Sequence, residues 1–449
     1  MSGRGRLLCL DVGSTWTKAA LVDAAGALVG TAQHRTTPPE VLHGVRSLVD
    51  ELGAADCAVL ACSSAGGGLR LAVVGQERLV SAEAGHRVAL SAGARVVHVS
   101  SGELTGAGIR ALRAAAPDVV LLVGGTDGGD TRVLLHNARR LAANRVRCPV
   151  VLAGNREARA EAEALLLATG RTVVPTDNVL PDVGELAPGP ARTAIREVFL
   201  RHVIGGKGLS RGPRFRSLVR AVTPDAVLHG VSRLAAVLAD GADAPGAVLV
   251  TDVGGATTDV YSAVSTVDEE RGRRTVDLPP DRRTVEGDLG MRWSAPGVVA
   301  EAEAERLLVP GEAELLRSAA DRRAERVHWV PAGADDPEEV AYDTRLAALA
   351  AVVALRRHLR LVDGRLGPRG AGLLVLSGGV FRHADAAALA AVEETLRADP
   401  VLRPVLRHAA VVVDRRYVLA PAGLLAADQP DLADGLLREH LATAGRLAV

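Results

Sequence analysis

The chain is poor in aromatic side chains and carries no net charge. Its 449 residues include only three each of Phe, Tyr and Trp, and the counts of Lys+Arg and of Asp+Glu are both 53. A neutral chain lacks the electrostatic attraction that draws proteins to nucleic acid or to an anionic membrane. So few aromatic rings also offer no platform on which bases could stack. We therefore expect neither nucleic acid nor a membrane among its partners.

Cysteines and long apolar runs are also scarce. The four cysteines form no Cys-X-X-Cys pair and no cluster with histidine, so the spacing favours neither a zinc site nor a disulfide framework. The first apolar run stops at Asp11, which is too short for a signal peptide. No run has the length of a membrane span. These features predict a cytoplasmic protein, and a length of 449 residues suits two or three domains.

One local design occurs twice in the chain. Residues 8–18 (LCLDVGSTWTK) and residues 248–260 (VLVTDVGGATTDV) each contain an apolar strand that ends in Asp, then a glycine turn with small hydroxyl residues, then a second strand. Such a turn leaves backbone N–H groups for phosphate oxygens, and the carboxylate can hold a hydrated Mg²⁺. A single Asp-X-Gly would be an ordinary turn signal. Two of them predict two lobes that close on one nucleotide.

The two turns supply most of the candidate site residues. Asp11 and Asp252 are the predicted metal ligands and catalytic carboxylates, and Asp252 is favoured for orienting the attacking water. Lysine occurs only at Lys18 and Lys207, and Lys18 follows the first turn, where a compact ammonium suits a phosphate. The alternative is that both Asp residues only form turns and that Lys18 is an ordinary surface residue.

A third glycine turn follows an apolar strand near residue 377. There Gly378 and Gly379 would let the backbone approach an adenosine with no side chain in the way. With ATP and Mg²⁺ as cofactors, backbone donors would stabilise the phosphates. The predicted nucleotide-binding residues are Gly13, Ser14, Thr15, Thr17, Gly254, Gly255, Ala256, Thr257, Gly378 and Gly379.

The apolar pattern divides the chain into three regions. Residues 1–65 show a three-strand meander, a helix and a strand, and with residues 181–210 they form a predicted ribonuclease-H-like lobe. Residues 66–180 alternate between strands and helices, which predicts an inserted parallel α/β domain. Residues 211–449 are predicted to form a second ribonuclease-H-like lobe with closing helices. The predicted fold class is therefore α/β.

The three turns resemble the phosphate-1, phosphate-2 and adenosine motifs of the superfamily that includes actin, the DnaK chaperones and sugar kinases. The resemblance rests on residues 10–18, 252–259 and 377–380. It implies the actin-like ATPase fold, in which two ribonuclease-H-like lobes bind one ATP with Mg²⁺.

More closely, the chain from about residue 6 to residue 440 resembles the MutL-like accessory proteins of glutamate mutase, which are unrelated to the mismatch-repair protein of that name. The segments that carry this resemblance are residues 62–70 (CSSAGGGLR), 123–129 (VGGTDGG), 151–155 (VLAGN), 175–179 (PTDNV) and 286–290 (EGDLG). The family implies an ATP-hydrolysing, chaperone-like factor that assists or reactivates an adenosylcobalamin-dependent mutase, either glutamate mutase or an aminomutase. No Asp-X-His-X-X-Gly segment occurs, so the chain looks like the helper and not like the cobalamin subunit.

Two other functions and one local feature stay open at this point. A kinase for a sugar or short acid would need a further carboxylate as general base, and a scaffold or filament protein could use ATP and ADP as a switch. A homodimer is also left open. Residues 124–129 (GGTDGG) either line a ligand cleft at the carboxyl edge of a parallel sheet or form a tight turn that needs small residues.

Overall fold

The structure is a computed structural model of the chain. It describes residues 5–442 except 14, 38, 65–68, 78–81, 83, 86–87, 90–93, 145, 200–212, 240–245, 265–280, 332–335, 363–365 and 367–369. Within these residues, no helix is long and apolar enough to cross a membrane. The described chain divides into two compact units: the first holds the residues up to Leu21 and Gly30–Asp225, and the second holds Val22–Val29 and the residues from Ala226 onward.

The secondary structure follows the apolar pattern of the sequence over most of the described chain. The strands are β1 (Leu7–Val12), β2 (Trp16–Val22), β3 (Leu28–Arg35), β4 (Ala58–Ser63), β5 (Arg70–Gly75), β6 (Arg95–Ser101), β7 (Val119–Leu122), β8 (Val150–Leu152), β9 (Val173–Pro175), β10 (Val219–Val222), β11 (Ala247–Val253), β12 (Thr258–Ala263), β13 (Asp281–Glu286), β14 (Ala371–Ser377) and β15 (Ala410–Val413). The helices are α1 (Leu42–Glu51), α2 (Gly106–Ala114), α3 (Arg132–Ala143), α4 (Arg156–Leu167), α5 (Pro188–Val198), α6 (Pro213–Leu218), α7 (Thr223–Ala239), α8 (Ala295–Ala304), α9 (Glu312–Glu325), α10 (Pro337–Leu361), α11 (Gly379–Arg382), α12 (Ala386–Ala398), α13 (Arg403–Leu406), α14 (Leu419–Leu425) and α15 (Pro430–Leu437), and a π-helix follows at Arg438–Ala442.

Two of the sheets have the same strand order. One sheet runs β3-β2-β1-β4-β10 and another runs β13-β12-β11-β14-β15. In each, three consecutive strands form a meander, and the next strand pairs in parallel with the first strand of that meander, β4 with β1 and β14 with β11. This is the ribonuclease-H-like arrangement, so the predicted fold class is confirmed. The strands that carry the two Asp-X-Gly turns, β1 and β11, occupy the same central position in their sheets.

The remaining sheet lies in the first unit and is parallel throughout. Its order is β6-β5-β7-β8-β9, and α2, α3 and α4 connect strands as crossover helices, which parallel strands require. Alternate residues of β5 point to opposite faces. Leu71 and Val73 therefore join the core that contains Leu8 and Leu10, whereas Ala72 packs with the residues beneath the crossover helices. The predicted inserted α/β region is confirmed as part of the fold class.

The core of the second unit is built around α10. Every residue of this helix from Leu346 to Leu355 is buried, and its neighbours include β11, β12, α8 and α12. A helix that is apolar on all sides is covered on all sides. The many alanines keep the helix narrow, so it can lie close to the sheet that carries the second Asp-X-Gly turn.

The structure differs from the sequence prediction in one domain boundary and in one predicted strand. The prediction assigns residues from 211 onward to the second lobe, but β10 pairs in parallel with β4 of the first sheet; the domain boundaries otherwise stay a prediction. From the sequence, residues 416–419 (RYVL) are predicted to form a strand after β15, and this prediction is wrong. The Asp414 carboxylate accepts the N–H of Val418 at 2.8 Å and that of Leu419 at 3.2 Å, so it caps the start of α14.

Candidate functional site

Asp11 lies near the end of β1 and is only 6% exposed. Its Oδ1 accepts a hydrogen bond from the Thr223 hydroxyl at the start of α7, and the Cys62 Sγ on β4 lies 3.6 Å from the same oxygen. A buried carboxylate needs such donors. Burial and the Asp11 charge raise the pKa of the Cys62 thiol. The thiol therefore stays protonated and serves as a donor to Asp11 and not as a nucleophile.

Thr36, which follows β3, holds the first turn. Its hydroxyl donates to the Gly13 carbonyl at 2.8 Å and its N–H donates to the Thr15 carbonyl at 2.9 Å. The Thr17 hydroxyl lies 3.1 Å from the Thr36 hydroxyl and is fully buried. Thr17, which the sequence places among the nucleotide ligands, thus supports the turn from inside. The Gly13 N–H closes the turn on the Trp16 carbonyl at 3.0 Å, so that donor is already used.

Two other residues predicted for this turn differ in their exposure. Thr15 is exposed, and Lys18 is half-buried on β2. Because side chains alternate along a strand, Lys18 and Thr17 point to opposite faces of the sheet. Ser14 and Lys207 lie outside the described residues.

The second turn is closed in the same way as the first. The Gly254 N–H donates to the Thr257 carbonyl at 2.9 Å, so this amide is also used within the turn. Three N–H groups that follow the 286–290 segment bind the turn's carbonyls: Met291 donates to Gly254 at 2.9 Å, and Arg292 and Trp293 donate to Gly255 at 2.8 and 3.0 Å. The Ser294 hydroxyl donates to the Ala256 carbonyl at 2.9 Å.

These contacts fix the direction of the turn's amide groups. In a trans peptide the C=O of one residue and the N–H of the next point in opposite directions. Since the carbonyls of residues 254–256 point toward the Met291–Ser294 segment, the amides of Gly255, Ala256 and Thr257 point away from it. Gly255 and Ala256 are exposed. Successive amides that face outward in a turn form a concave site for anions.

Asp252 lies at the end of β11, directly opposite Asp259 of β12. Two carboxylates at this spacing repel one another. Arg283 binds Asp259, with its Nε 2.8 Å and its Nη2 2.5 Å from Oδ1, whereas Asp252 is partly exposed at the end of the strand. Burial, and to a smaller extent the charge of Asp259, raises the pKa of the nearby Tyr261. Asp252 is therefore one of two neighbouring carboxylates at this end of β11 and β12, the other being paired with Arg283.

Each turn offers one carboxylate of the kind that binds Mg²⁺, which proteins hold through one or two carboxylates together with water and phosphate oxygens. Asp11 and Asp252 each provide one carboxylate, in the first and second units respectively. Within the described residues, no group of three or more His, Cys, Asp or Glu side chains could hold a metal ion alone.

The segment 286–290, which the sequence singles out, supports the second turn. The Thr258 hydroxyl donates to the Leu289 carbonyl at 2.8 Å, and a Cβ on Gly290 would overlap the backbone of Ala256. Asp288 is bound by the Arg357 Nη1 at 2.9 Å from each carboxylate oxygen. The glycine at 290 is therefore required by close packing beneath the turn.

At the third turn the two glycines have different surroundings. Gly378 has φ +115°, and a Cβ there would overlap the Val253 carbonyl at the end of β11. This glycine lets β14 and β11 end side by side. Gly379 has nothing within 4 Å of an added Cβ, so its backbone faces open space. Gly379 is thus the residue of the pair at which a ligand could approach.

The glycine run after β7 forms a tight turn, one of the two interpretations open from the sequence. The Asn178 Nδ2 donates to the Gly125 carbonyl and to Asp127 Oδ1, both at 2.9 Å. The Asn155 Nδ2 donates to the Gly129 carbonyl at 3.0 Å. Positive φ angles at Gly124, Gly125 and Gly128 account for the glycines. The polar groups of this turn serve mostly to hold it together.

Sequence reasoning missed the residues that hold the two turns. Thr36, Thr223 and Arg292 reach their partners from distant parts of the chain, and no spacing rule connects them. Of these three residues, only Thr223 lies in a sequence pattern that predicts its position. Thr223, Pro224 and Asp225 together form a helix-start pattern, which would have placed a hydroxyl at the start of α7.

The chain matches known proteins along almost its whole length. The family model described as MutL protein matches residues 7–441. "Protein MutL" of Clostridium tetanomorphum is 33% identical over 465 residues, which cover 97% of this chain and 98% of that protein. Among solved structures, a nucleotide-free acetone carboxylase is 14% identical with a TM-score of 0.40, over 95% of this chain and 71% of that one. A ROK family glucokinase from Streptomyces griseus in complex with glucose and AMPPNP is 15% identical with a TM-score of 0.34, over 97% of this chain and 100% of that one. The fold assignment rests on the strand order and not on these overall alignments.

Proposed function

The chain belongs to the MutL protein family, and from that membership we propose that it is an ATP-binding and ATP-hydrolysing factor that assists or reactivates an adenosylcobalamin-dependent mutase. The observation that carries the nucleotide part is the repeated turn. Asp11 and Asp252 each lie one residue before the end of the central strand of a sheet, the two sheets have the same strand order, and each strand is followed by a glycine turn with tethered carbonyls. The mutase as partner comes from the resemblance to the glutamate mutase accessory proteins.

In the proposed site the two turns face one Mg-ATP. The amides of Gly255, Ala256 and Thr257 bind phosphate oxygens, and Lys18 neutralises phosphate charge. Asp11 and Asp252 hold the hydrated Mg²⁺, which when bound neutralises charge on the phosphates. Asp252, the more exposed of the two carboxylates, orients the attacking water. The backbone at Gly379 lies beside the adenosine.

The proposed effect of ATP binding and hydrolysis is a change in how the protein binds the mutase. Binding and hydrolysis of ATP shift the two lobes, and this motion drives partner binding and release. Opening of the mutase lets damaged cobalamin leave, and intact adenosylcobalamin can then replace it.

The nucleotide part is tested by calorimetry and by ATP hydrolysis. Wild-type protein should bind Mg-ATP and release phosphate. Asp11→Asn and Asp252→Asn keep the size of each side chain but remove the charge that holds the metal, so hydrolysis should fall by about a hundredfold or more. Asp321→Asn, at an exposed position on α9, is the control and should hydrolyse ATP like wild type. Circular dichroism checks that all variants are folded.

Two results would contradict this assignment: no uptake of Mg-ATP by folded wild-type protein, or wild-type turnover in both Asp variants. Transfer of the phosphate to a sugar or short acid, instead of to water, would support the kinase alternative.

The partner is tested with an adenosylcobalamin-dependent glutamate mutase or aminomutase inactivated by its damaged cofactor. Adding this protein, Mg-ATP and free adenosylcobalamin should restore mutase activity, whereas omission of ATP or use of Asp252→Asn should not. Cobalamin released from the mutase is measured by its absorbance after filtration. If release and recovery of activity are the same without this protein, the reactivating role is wrong even where ATP hydrolysis is observed.

A further inference from the structure

The segment that holds the second turn is itself held by the side chain of Arg292. Besides its backbone bond to Gly255, Arg292 donates from Nη1 to the Met291 carbonyl at 2.7 Å and from Nε to the Trp329 carbonyl at 3.1 Å. The guanidinium thus folds back over its own backbone. It connects the Met291–Ser294 segment to the residues that follow α9.

The same guanidinium is paired with a carboxylate on α10. Its Nη1 and Nη2 lie 3.2 and 3.1 Å from Asp343 Oδ1 and Oδ2, and the side chains of Arg292 and Asp343 are only 13% and 12% exposed. Such a two-point contact fixes the angle of both groups as well as their distance. Arg292 is therefore held in one orientation relative to α10.

Asp343 is in turn held from its other side. Arg323 of α9 is 0% exposed and donates from Nε to Asp343 Oδ1 at 2.6 Å. Its Nη1 also binds Glu339 Oε2 at 2.8 Å and the Ala319 carbonyl at 2.9 Å. The carboxylate therefore cannot turn toward solvent without breaking a buried network.

The turn has no long side chain of its own that could fix it. Gly254, Gly255 and Ala256 carry at most a methyl group, so the direction of their peptides depends on the donors at residues 291–294. We propose that Arg292 is a positioning residue for the proposed phosphate site. Its pairing with Asp343 sets the orientation of the Gly254–Thr257 turn and hence the direction of the three outward amides. This inference rests on the proposed nucleotide function.

The test compares this ion pair with a second one in the same unit. The variants are Arg292→Met, Asp343→Leu and the double variant, and the matched controls are Arg345→Met, Glu312→Leu and their double variant. Like the first pair, the control pair holds a side chain of α10, here against α9, with Arg345 Nε 2.5 Å from Glu312 Oε1 and side chains 27% and 18% exposed. The affinity for Mg-ATP is measured by calorimetry, and stability is measured by urea unfolding.

We expect Arg292→Met to weaken Mg-ATP binding about ten- to a hundredfold, since small misplacements of binding groups have effects of this size. Asp343→Leu and the double variant also remove the partner of the buried Arg323 Nε, so both should lose stability. Because Arg292→Met alone already breaks the contact with Asp343, the double variant should bind Mg-ATP about as weakly as Arg292→Met. The control variants should change stability and leave the affinity within about twofold, because the contacts of Arg345 and Glu312 lie at residues 307–312, outside the segment that holds the turn.

Unchanged affinity in folded Arg292→Met protein would overturn the inference, and so would an equal loss of affinity in the control pair. If Arg292→Met does not fold, Arg292→Lys keeps the charge without the two-point contact, and wild-type affinity in that variant would also overturn it. Absence of Mg-ATP binding by the wild type would instead overturn the proposed function itself.

Discussion

At the scale of single residues, His358 on α10 is a buried histidine with both ring nitrogens engaged. The Thr284 hydroxyl lies 3.0 Å from its Nδ1 and the Ser262 hydroxyl 2.9 Å from its Nε2. Hydroxyls can donate or accept, so they satisfy either neutral form of the ring. Burial, helped by the charge of Arg282, lowers the pKa of His358 to about 3. The ring is therefore neutral at any physiological pH.

This histidine should make the second unit sensitive to acid. Its pKa is about 3 when folded and about 6.5 when unfolded, so the unfolded chain binds more protons between these values. The contribution to stability is complete above pH 6.5 and is lost as the pH falls toward 3. Between pH 6.5 and 5 the free energy of unfolding should drop by about 2 kcal/mol from this group alone, as measured by urea unfolding.

The matched variants are His358→Gln and His328→Gln, the second at an exposed histidine. His358→Gln should be less stable at pH 7 but should lose less stability on acidification than wild type. His328→Gln should follow the wild-type profile. If His358→Gln shows the full wild-type slope, other groups cause the acid sensitivity.

The individual site residues show what the sequence could indicate and what it could not. The residue types at positions 11, 13, 252 and 254 (Asp11, Gly13, Asp252 and Gly254) predict turns that carry a carboxylate, because few residue types allow such a tight turn. Their hydrogen-bond partners were not predictable, since Thr36 and Arg292 reach the turns from other elements. The direction of an amide depends on those partners and not on local sequence.

At the scale of elements, α7 and α14 cross in close contact in the second unit. A Cβ on Gly423 of α14 would overlap the Ala226 carbonyl of α7, and a Cβ on Gly230 would overlap the Leu419 carbonyl. Glycine is needed at both positions because the two backbones approach directly. An ion pair between Arg233 and Asp434 joins α7 to α15 in the same unit.

Gly423→Ala should therefore destabilise the protein, although alanine is the better helix former. Forcing a methyl group into a filled contact costs about 1–3 kcal/mol. Gly435→Ala is the control: this residue lies in α15 and has nothing within 4 Å of an added Cβ, so the change should stabilise the protein by up to about 1 kcal/mol. Both changes are measured as free energies of unfolding in urea. A neutral or stabilising Gly423→Ala would contradict the close crossing.

The sequence predicts best those strands whose ends are marked by clear turn residues. The strands β1, β2, β11 and β12 are bounded by Asp-X-Gly turns, and the sequence predicts them within about two residues. The sequence prediction omits β10 and α7: a four-residue strand gives too few positions for a period, and the Thr-Pro-Asp start of α7 was not used. Residues 416–419 were mistaken for a strand because the capping role of Asp414 depends on its position beside the next helix.

At the scale of the whole molecule, the sequence indicates which kinds of sheet are present but not every pairing of strands within them. The meander and crossover patterns predict two ribonuclease-H-like sheets and one parallel sheet, and the strand orders confirm this. In the first sheet, β10 pairs with β4. More than 150 residues of chain separate these two strands. Such pairings depend on tertiary packing, which local periodicity does not contain. The resemblance to the MutL family, by contrast, spans residues 7–441 and was readable from a few short segments.

The scarcity of aromatic rings has a practical consequence. Tryptophan is present at only three positions, and two of these rings, Trp16 at 39% and Trp293 at 63% exposure, adjoin the two turns. Trp16 closes the first turn with its carbonyl, and the Trp293 N–H donates to Gly255 at 3.0 Å in the second. Intrinsic ultraviolet emission is therefore dominated by indoles placed beside the glycine loops, with Trp329 as the third. A nucleotide bound at either loop, as proposed, should therefore change this emission, which can be recorded in real time without attaching a dye.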